Sequence, residues 1–168
     1  DIEIARGLLD RAIKLDDNFI DAKLLLGETY HVVGDYNKAM GIYTSALDQA
    51  QDLGDKGSIG DALVGIGQIH NHRGEDDQAH DYYKRALVIA EELGDMARIG
   101  SRLIDIGNLY EKKGDDEEAL DFYQQALRID EELGNKNSAT LNNIGIIYGK
   151  RNDVDQSLDY FNRSLAIC

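Results

Sequence analysis

Three of the four histidines fall in one stretch, His70-Asn-His72-Arg-Gly-Glu75-Asp76-Asp77-Gln-Ala-His80, which concentrates side chains able to ligate a metal. On a helix, residues two apart point about 200° away from each other, so His70 and His72 do not grip one ion together. The acidic runs Glu75-Asp76-Asp77 and Asp115-Asp116-Glu117-Glu118 lack the alternating oxygens and the turn glycine of a calcium loop. Both runs fall where a helix is expected to begin, where the macrodipole favours each negative charge by roughly 0.3–1 kcal/mol. Serine and threonine candidates for a nucleophile have no placed histidine, and no glycine-rich phosphate loop follows a strand. The lone Cys168 can form neither an intrachain disulfide nor a thiolate metal site. The sequon Asn162-Arg163-Ser164 sits inside an expected helix and reads as chance. The expectation is a chain with no catalytic residues, no metal and no cofactor.

The elements that would carry any site must come from 168 residues with a net charge of −14 and 42% hydrophobic content. That apolar fraction is too high for a disordered acidic tail, so the chain should pack. The acidity argues against a nucleic-acid surface, because phosphates call for lysine and arginine. No apolar run reaches the roughly 18 residues a membrane helix needs, and no signal peptide opens the chain. A cytoplasmic location without membrane insertion is therefore expected. The start at Asp1 rather than a methionine reads as a piece of a longer protein.

Four segments align through a hydrophobic–Gly–x–x–aromatic core: Leu26-Gly27-x-x-Tyr30, Ile66-Gly67-x-x-His70, Ile106-Gly107-x-x-Tyr110 and Ile144-Gly145-x-x-Tyr148. The glycines step by 40, 40 and 38 residues. Downstream of each lies a small–aromatic–small triplet: Ala39–Tyr43–Ala46, Ala79–Tyr83–Ala86, Ala119–Tyr123–Ala126 and Ser157–Phe161–Ser164. A degenerate copy, Ala5–Leu9–Ala12, precedes them. Each unit reads as two helices. The first stops at Gly34, Gly74 or Gly114, where a left-handed cap needs no Cβ. Asp35, Asp76 or Asp115/Asp116 then offers a carboxylate to the second helix. The second ends at Gly54, Gly94 or Gly134. The small residues let two backbones approach while the aromatics fill the gap. One such hairpin cannot bury its apolar face alone, so it stacks on the next.

The Leu-Gly-x-x-Tyr … Ala-x-x-x-Tyr-x-x-Ala pattern resembles the tetratricopeptide repeat over nearly the whole chain. The family's usual tryptophan is absent, with Lys23, Val64 or Leu103 in that area, and so is its closing proline. The second helix runs about two turns longer, which is similar to the roughly 40-residue variant of signalling scaffolds, kinesin light chains and microbial regulatory proteins. The resemblance implies an all-α fold without strands, an α-solenoid of about nine helices in antiparallel pairs with a right-handed superhelix. The expected division is 1–17 (the second helix of a truncated repeat), 18–56, 57–96, 97–136 and 137–168.

In such arrays the first helices line a concave groove that binds peptide segments. Subtracting packing positions leaves a polar face, and on it Glu28, Gln68, Asn71, Asp105, Asn108, Glu111, Asn142 and Asn143 are the candidate groove residues. Amides carry both donor and acceptor, which suits pairing with a peptide backbone. The basic clamp that co-chaperone arrays use for a carboxylate is missing, since the matching stretches hold Leu24, Glu28, Gly65, Ser101 and Asp105. The implied function is a non-catalytic protein-interaction module of a signalling or regulatory protein, with a neutral-to-basic segment as partner. The alternative is a structural array that self-associates through its uncapped ends.

Overall fold

The computed structural model describes residues 2–16, 19–135 and 137–167. Cys168 lies outside these residues, so its expected solitary state is not part of the structural account. The described residues form nine α-helices and no strand. They divide into two compact units, Asp1–Leu93 and Gly94–Cys168.

In the first unit, α1 (Ile2–Leu15) packs on α2 (Ile20–Val32), which pairs with α3 (Tyr36–Leu53). Helix α3 packs on α4 (Lys56–His72), and α4 pairs in turn with α5 (Asp76–Leu93). In the second unit, α6 (Met96–Lys113) pairs with α7 (Asp116–Glu132). Helix α7 packs on α8 (Ser138–Lys150), which pairs with α9 (Val154–Leu165). The fold is the all-α solenoid class expected from the repeat, built of antiparallel helix pairs.

The pairing rests on glycine against tyrosine. A Cβ placed on Gly27 would lie 2.7 Å from Cε1 of Tyr43, and one on Gly107 2.7 Å from Cε1 of Tyr123. Real Cβ atoms do not approach that closely, so these positions exclude any side chain while the ring stays where it is. The flanking Ala39, Ala46, Ala79, Ala86, Ala119 and Ala126 are buried, as the triplet predicts. In the last pair the small residues are serines, and their hydroxyls are satisfied: Ser157 donates to the Gly145 carbonyl at 2.9 Å and Ser164 to that of Ser138 at 3.1 Å.

The long second helices end where expected, with Gly54 at φ 67° and Gly134 at φ 68°, both left-handed. Asn152 holds the corresponding conformation after α8 at φ 59°, a position where short polar side chains replace glycine most readily. The helix starts differ in part from expectation. Asp35 caps α3 by accepting from the Lys38 N–H, but Asp115 makes no side-chain cap bond, and Asp76 lies inside α5. The other caps are Asp55, Asp95, Asn137 and Asp153, each accepting from the amide three residues on.

Candidate functional site

The repeat places the first helices α2 and α4 of one unit, and α6 and α8 of the other, so that the turn after Gly27 or Gly107 lies beside the tyrosine of the following helix. The two units furnish that place differently.

In the first unit a groove of about 410 Å³ opens between α2 and α4. It is lined by Leu24, Leu25, Glu28, His31 and Val32 from α2, Tyr43 from α3, and Asp61, Val64, Gly65 and Gln68 from α4. Tyr43 is only 5% exposed. Its ring is held between two glycines, because a Cβ on Gly65 would come within 2.5 Å of its Cζ. Burial, with help from the Glu28 charge, pushes its hydroxyl pKa up to about 12, so it is a neutral donor and acceptor. At one end His31, Tyr36 and His72 form a cluster of rings: His31 to His72 at 4.9 Å, His31 to Tyr36 at 5.6 Å, and Tyr36 stacked on His72 at 5.3 Å. Burial lowers the His31 pKa and the neighbouring His72 lowers it further, with Glu28 acting the other way. His31 Nε2 is shielded from solvent without a hydrogen-bond partner.

In the second unit the same place is filled. The Tyr123 hydroxyl lies 2.6 Å from Oδ1 of Asn108 and 3.0 Å from Oε2 of Glu111, donating to one of them at a time. Asn143 on α8 donates to the same Asn108 oxygen at 3.3 Å, and Lys150 to Glu111 at 2.9 Å. Lys150 also lies 3.5 Å from Asp116. Burial raises the Tyr123 pKa far above the usual phenol range, reinforced by its bond to Glu111. The bond to Glu111 likewise raises the pKa of Lys150.

The candidate residues therefore separate. Glu28 and Gln68 line one groove of the first unit; Asn71 is half-buried on α4 outside that lining. Asn108, Glu111 and Asn143 are joined in one network, while Asn142 is exposed beside it. Asp105 is half-buried 3.6 Å from Arg102, and burial raises its pKa to about 6 against that attraction. The sequence offers these amides to a peptide backbone, but the Asn108 oxygen is already engaged within the molecule. It also places Tyr43 and Tyr123 among packing residues, which hides their hydroxyls. In the first three full repeats the tyrosine stands fifteen residues after a polar position, Glu28, Gln68 or Asn108, and that spacing was the available signal.

The histidine-rich stretch carries packing. His70 stacks on Tyr82 at 5.2 Å, as Tyr110 does on Phe122 at 5.4 Å and Tyr148 on Tyr160 at 5.6 Å. Its Nδ1 meets Glu75, while His72 turns to the α2 side, so the two histidines part as the helix geometry requires. Among the described residues no group of three histidine, cysteine or acidic side chains could hold a metal ion. No described helix is long and apolar enough to cross a membrane.

A family model for the tetratricopeptide repeat matches residues 19–92 and 99–168. The chain belongs to the tetratricopeptide-repeat family. Repeats of this family generally act as non-catalytic protein-interaction scaffolds. Among solved structures the chain is similar to BtubC (BKLC) from P. vanneervenii, with 22% identity and a TM-score of 0.81 over 99% of this chain and 70% of that one. It is also similar to MamA, with 21% identity and a TM-score of 0.71 over 99% of this chain and 88% of that one. A Rap protein complexed with Competence and Sporulation Factor matches with 18% identity and a TM-score of 0.82, over 88% of this chain and 42% of that one. These likenesses concern the fold. No curated protein sequence matches the chain.

Proposed function

We propose that this tetratricopeptide array is an interaction module of a signalling or regulatory protein and binds a neutral-to-basic segment of a partner along its first helices. The observation that carries this reading is the α2–α4 groove, a concave space with an apolar floor and polar groups from Glu28, Gln68 and Tyr43 at its wall. Such a mixture suits a peptide, whose side chains take the floor while its backbone pairs with the wall. The Rap structure among the neighbours is a complex with Competence and Sporulation Factor, which supports a protein or peptide partner. In this reading the repeats divide as 18–56, 57–96, 97–136 and 137–168, and Asn71, Asp105, Asn142 and the exposed amide of Asn108 add further contacts. The test is affinity capture from a lysate with the wild-type chain and the Glu28→Gln, Gln68→Ala double variant. A partner retained by the first and lost by the second supports the groove; equal retention by both refutes it.

A second reading, self-association through the ends, draws on the exposed apolar residues Val154, Leu158 and Leu165 of α9. Light scattering over a concentration series separates the two, because only self-association makes the mass rise with concentration.

A further inference from the structure

We infer that the α2–α4 groove is a socket for an arginine side chain of the bound segment, an inference that rests on the groove-binding reading above. The two units supply the argument by their contrast. At equivalent repeat positions the second unit carries Asn108, Glu111, Tyr123, Asn143 and Lys150, and the first carries Glu28, His31, Tyr43, Gly65 and His72. In the second unit the chain plugs its own socket: Asn143 and Lys150 on α8 bring N–H donors to the acceptors grouped around Tyr123.

The first unit keeps the acceptors and lacks the plug. Gly65 stands where Asn143 stands and packs bare backbone against the Tyr43 ring, so it brings no side-chain donor to the Tyr43 hydroxyl. That hydroxyl belongs to a side chain 95% buried by its 5% exposure, and it has no hydrogen-bond partner among the described residues. Glu28 replaces Asn108 and adds a full negative charge, with Asp61 on the facing wall. His31 lines the same space, and its shielded Nε2 has no hydrogen-bond partner. No lysine or arginine lines the groove.

A ligand that satisfies this set must bring several N–H donors, a positive charge and an apolar stem. Guanidinium brings five donors in a plane, is more weakly hydrated than ammonium, and stacks on aromatic faces. Its methylenes fit Leu24, Leu25 and Val64 on the floor. The depressed pKa of His31 keeps its ring neutral near pH 7, so it does not repel the cation.

The experiment uses three capped pentapeptides, alanine at four positions with arginine, lysine or citrulline at the centre. Citrulline keeps the shape of arginine and removes its charge. Each is titrated into the 15N-labelled chain and into its Glu28→Gln variant, with backbone and side-chain amide shifts followed by NMR. Glu28 is exposed, so the variant should keep the wild-type spectrum outside the groove. The socket predicts shifts centred on Gly65 and Gln68, with affinity in the order arginine, lysine, citrulline. It also predicts at least a tenfold loss for citrulline and for arginine on Glu28→Gln. Equal groove shifts from all three peptides would overturn the socket and leave the groove reading standing. Shifts from arginine confined to other acidic surfaces, while lysine or citrulline still moves groove resonances, would overturn the socket alone. If no peptide moves a groove resonance, socket and groove reading fall together.

Discussion

Three equivalent positions join three helices in each unit, and the two units make the joint from different materials. In the first, His31, Tyr36 and His72 meet as rings within 5.6 Å. In the second, Glu111, Asp116 and Lys150 meet as charges, with Lys150 2.9 Å from one carboxylate and 3.5 Å from the other. The backbone does not distinguish them, since both stand on the same glycine–tyrosine packing. What differs is response. A joint of ions weakens with salt and holds across neutral pH, whereas a joint of imidazoles ignores salt and weakens when its rings gain protons. The same frame can therefore hold helices together by either means, and side chains beyond the repeat pattern choose which.

The largest effect should come from breaking what the units share. Gly107→Leu drives a side chain into the Tyr123 ring, and denaturant unfolding should show a loss of about 2–3 kcal/mol. Asn108→Ala, one residue on, should lose less than about 1 kcal/mol, because Glu111 still accepts from Tyr123. Equal losses at the two positions would place the glycine away from the contact.

Asp105 gives a middling effect and sharpens the comparison, because its place on α6 is held by Leu25 on α2. Its pKa in the fold, about 6, exceeds that of an unfolded aspartate, so folding favours the protonated form. Stability should then fall as pH rises from about 4 to about 6 and stay reduced above. Asp105→Asn should remove this dependence and raise stability at pH 7 by on the order of 1 kcal/mol, with no gain at pH 4. Melts of both proteins at the two pH values check it.

The smallest effect separates the joints themselves. Lys150→Met should cost about 0.5 kcal/mol at low salt, and the difference should vanish near 1 M salt. His72→Phe should show no such salt dependence. Because folding lowers the His31 pKa, stability is lost as pH falls below about 6.5, the ordinary histidine value, and His72 deepens that loss while Glu28 opposes it. His72→Phe should make the acid-side slope shallower, read from melts between pH 7 and pH 5.

The frame was legible in the sequence because it depends on residues that act locally. A glycine that must admit a ring and a glycine that ends a helix announce themselves at fixed offsets, and Gly27, Gly54, Gly107 and Gly134 all stand where the repeat puts them. The furnishing of the grooves was less legible. Asn108 reads as an exposed amide on α6 until Tyr123 from α7 and Asn143 from α8 arrive at its oxygen. That convergence depends on the reach and rotamers of side chains from three helices. His31 and His72 were visible as residues, yet their contact spans forty-one positions and needs two helices to be laid side by side. The cap at Asp115 was equally hidden: its backbone, at φ −84° and ψ 66°, nearly matches that of the capping Asp35, so the side chain's own orientation makes the difference.

The last pair carries a consequence for how such an array can change. Phe161 holds the tyrosine's place against Gly145, where a Cβ would lie 2.9 Å from its Cε1. Ring and bare backbone thus form a lock whose two halves cannot be altered singly, while the hydroxyl at the ring's tip is detachable. A repeat can gain or shed that polar tip by a single atom without reopening the lock. Groove chemistry and solenoid architecture are inherited on separate parts of one side chain.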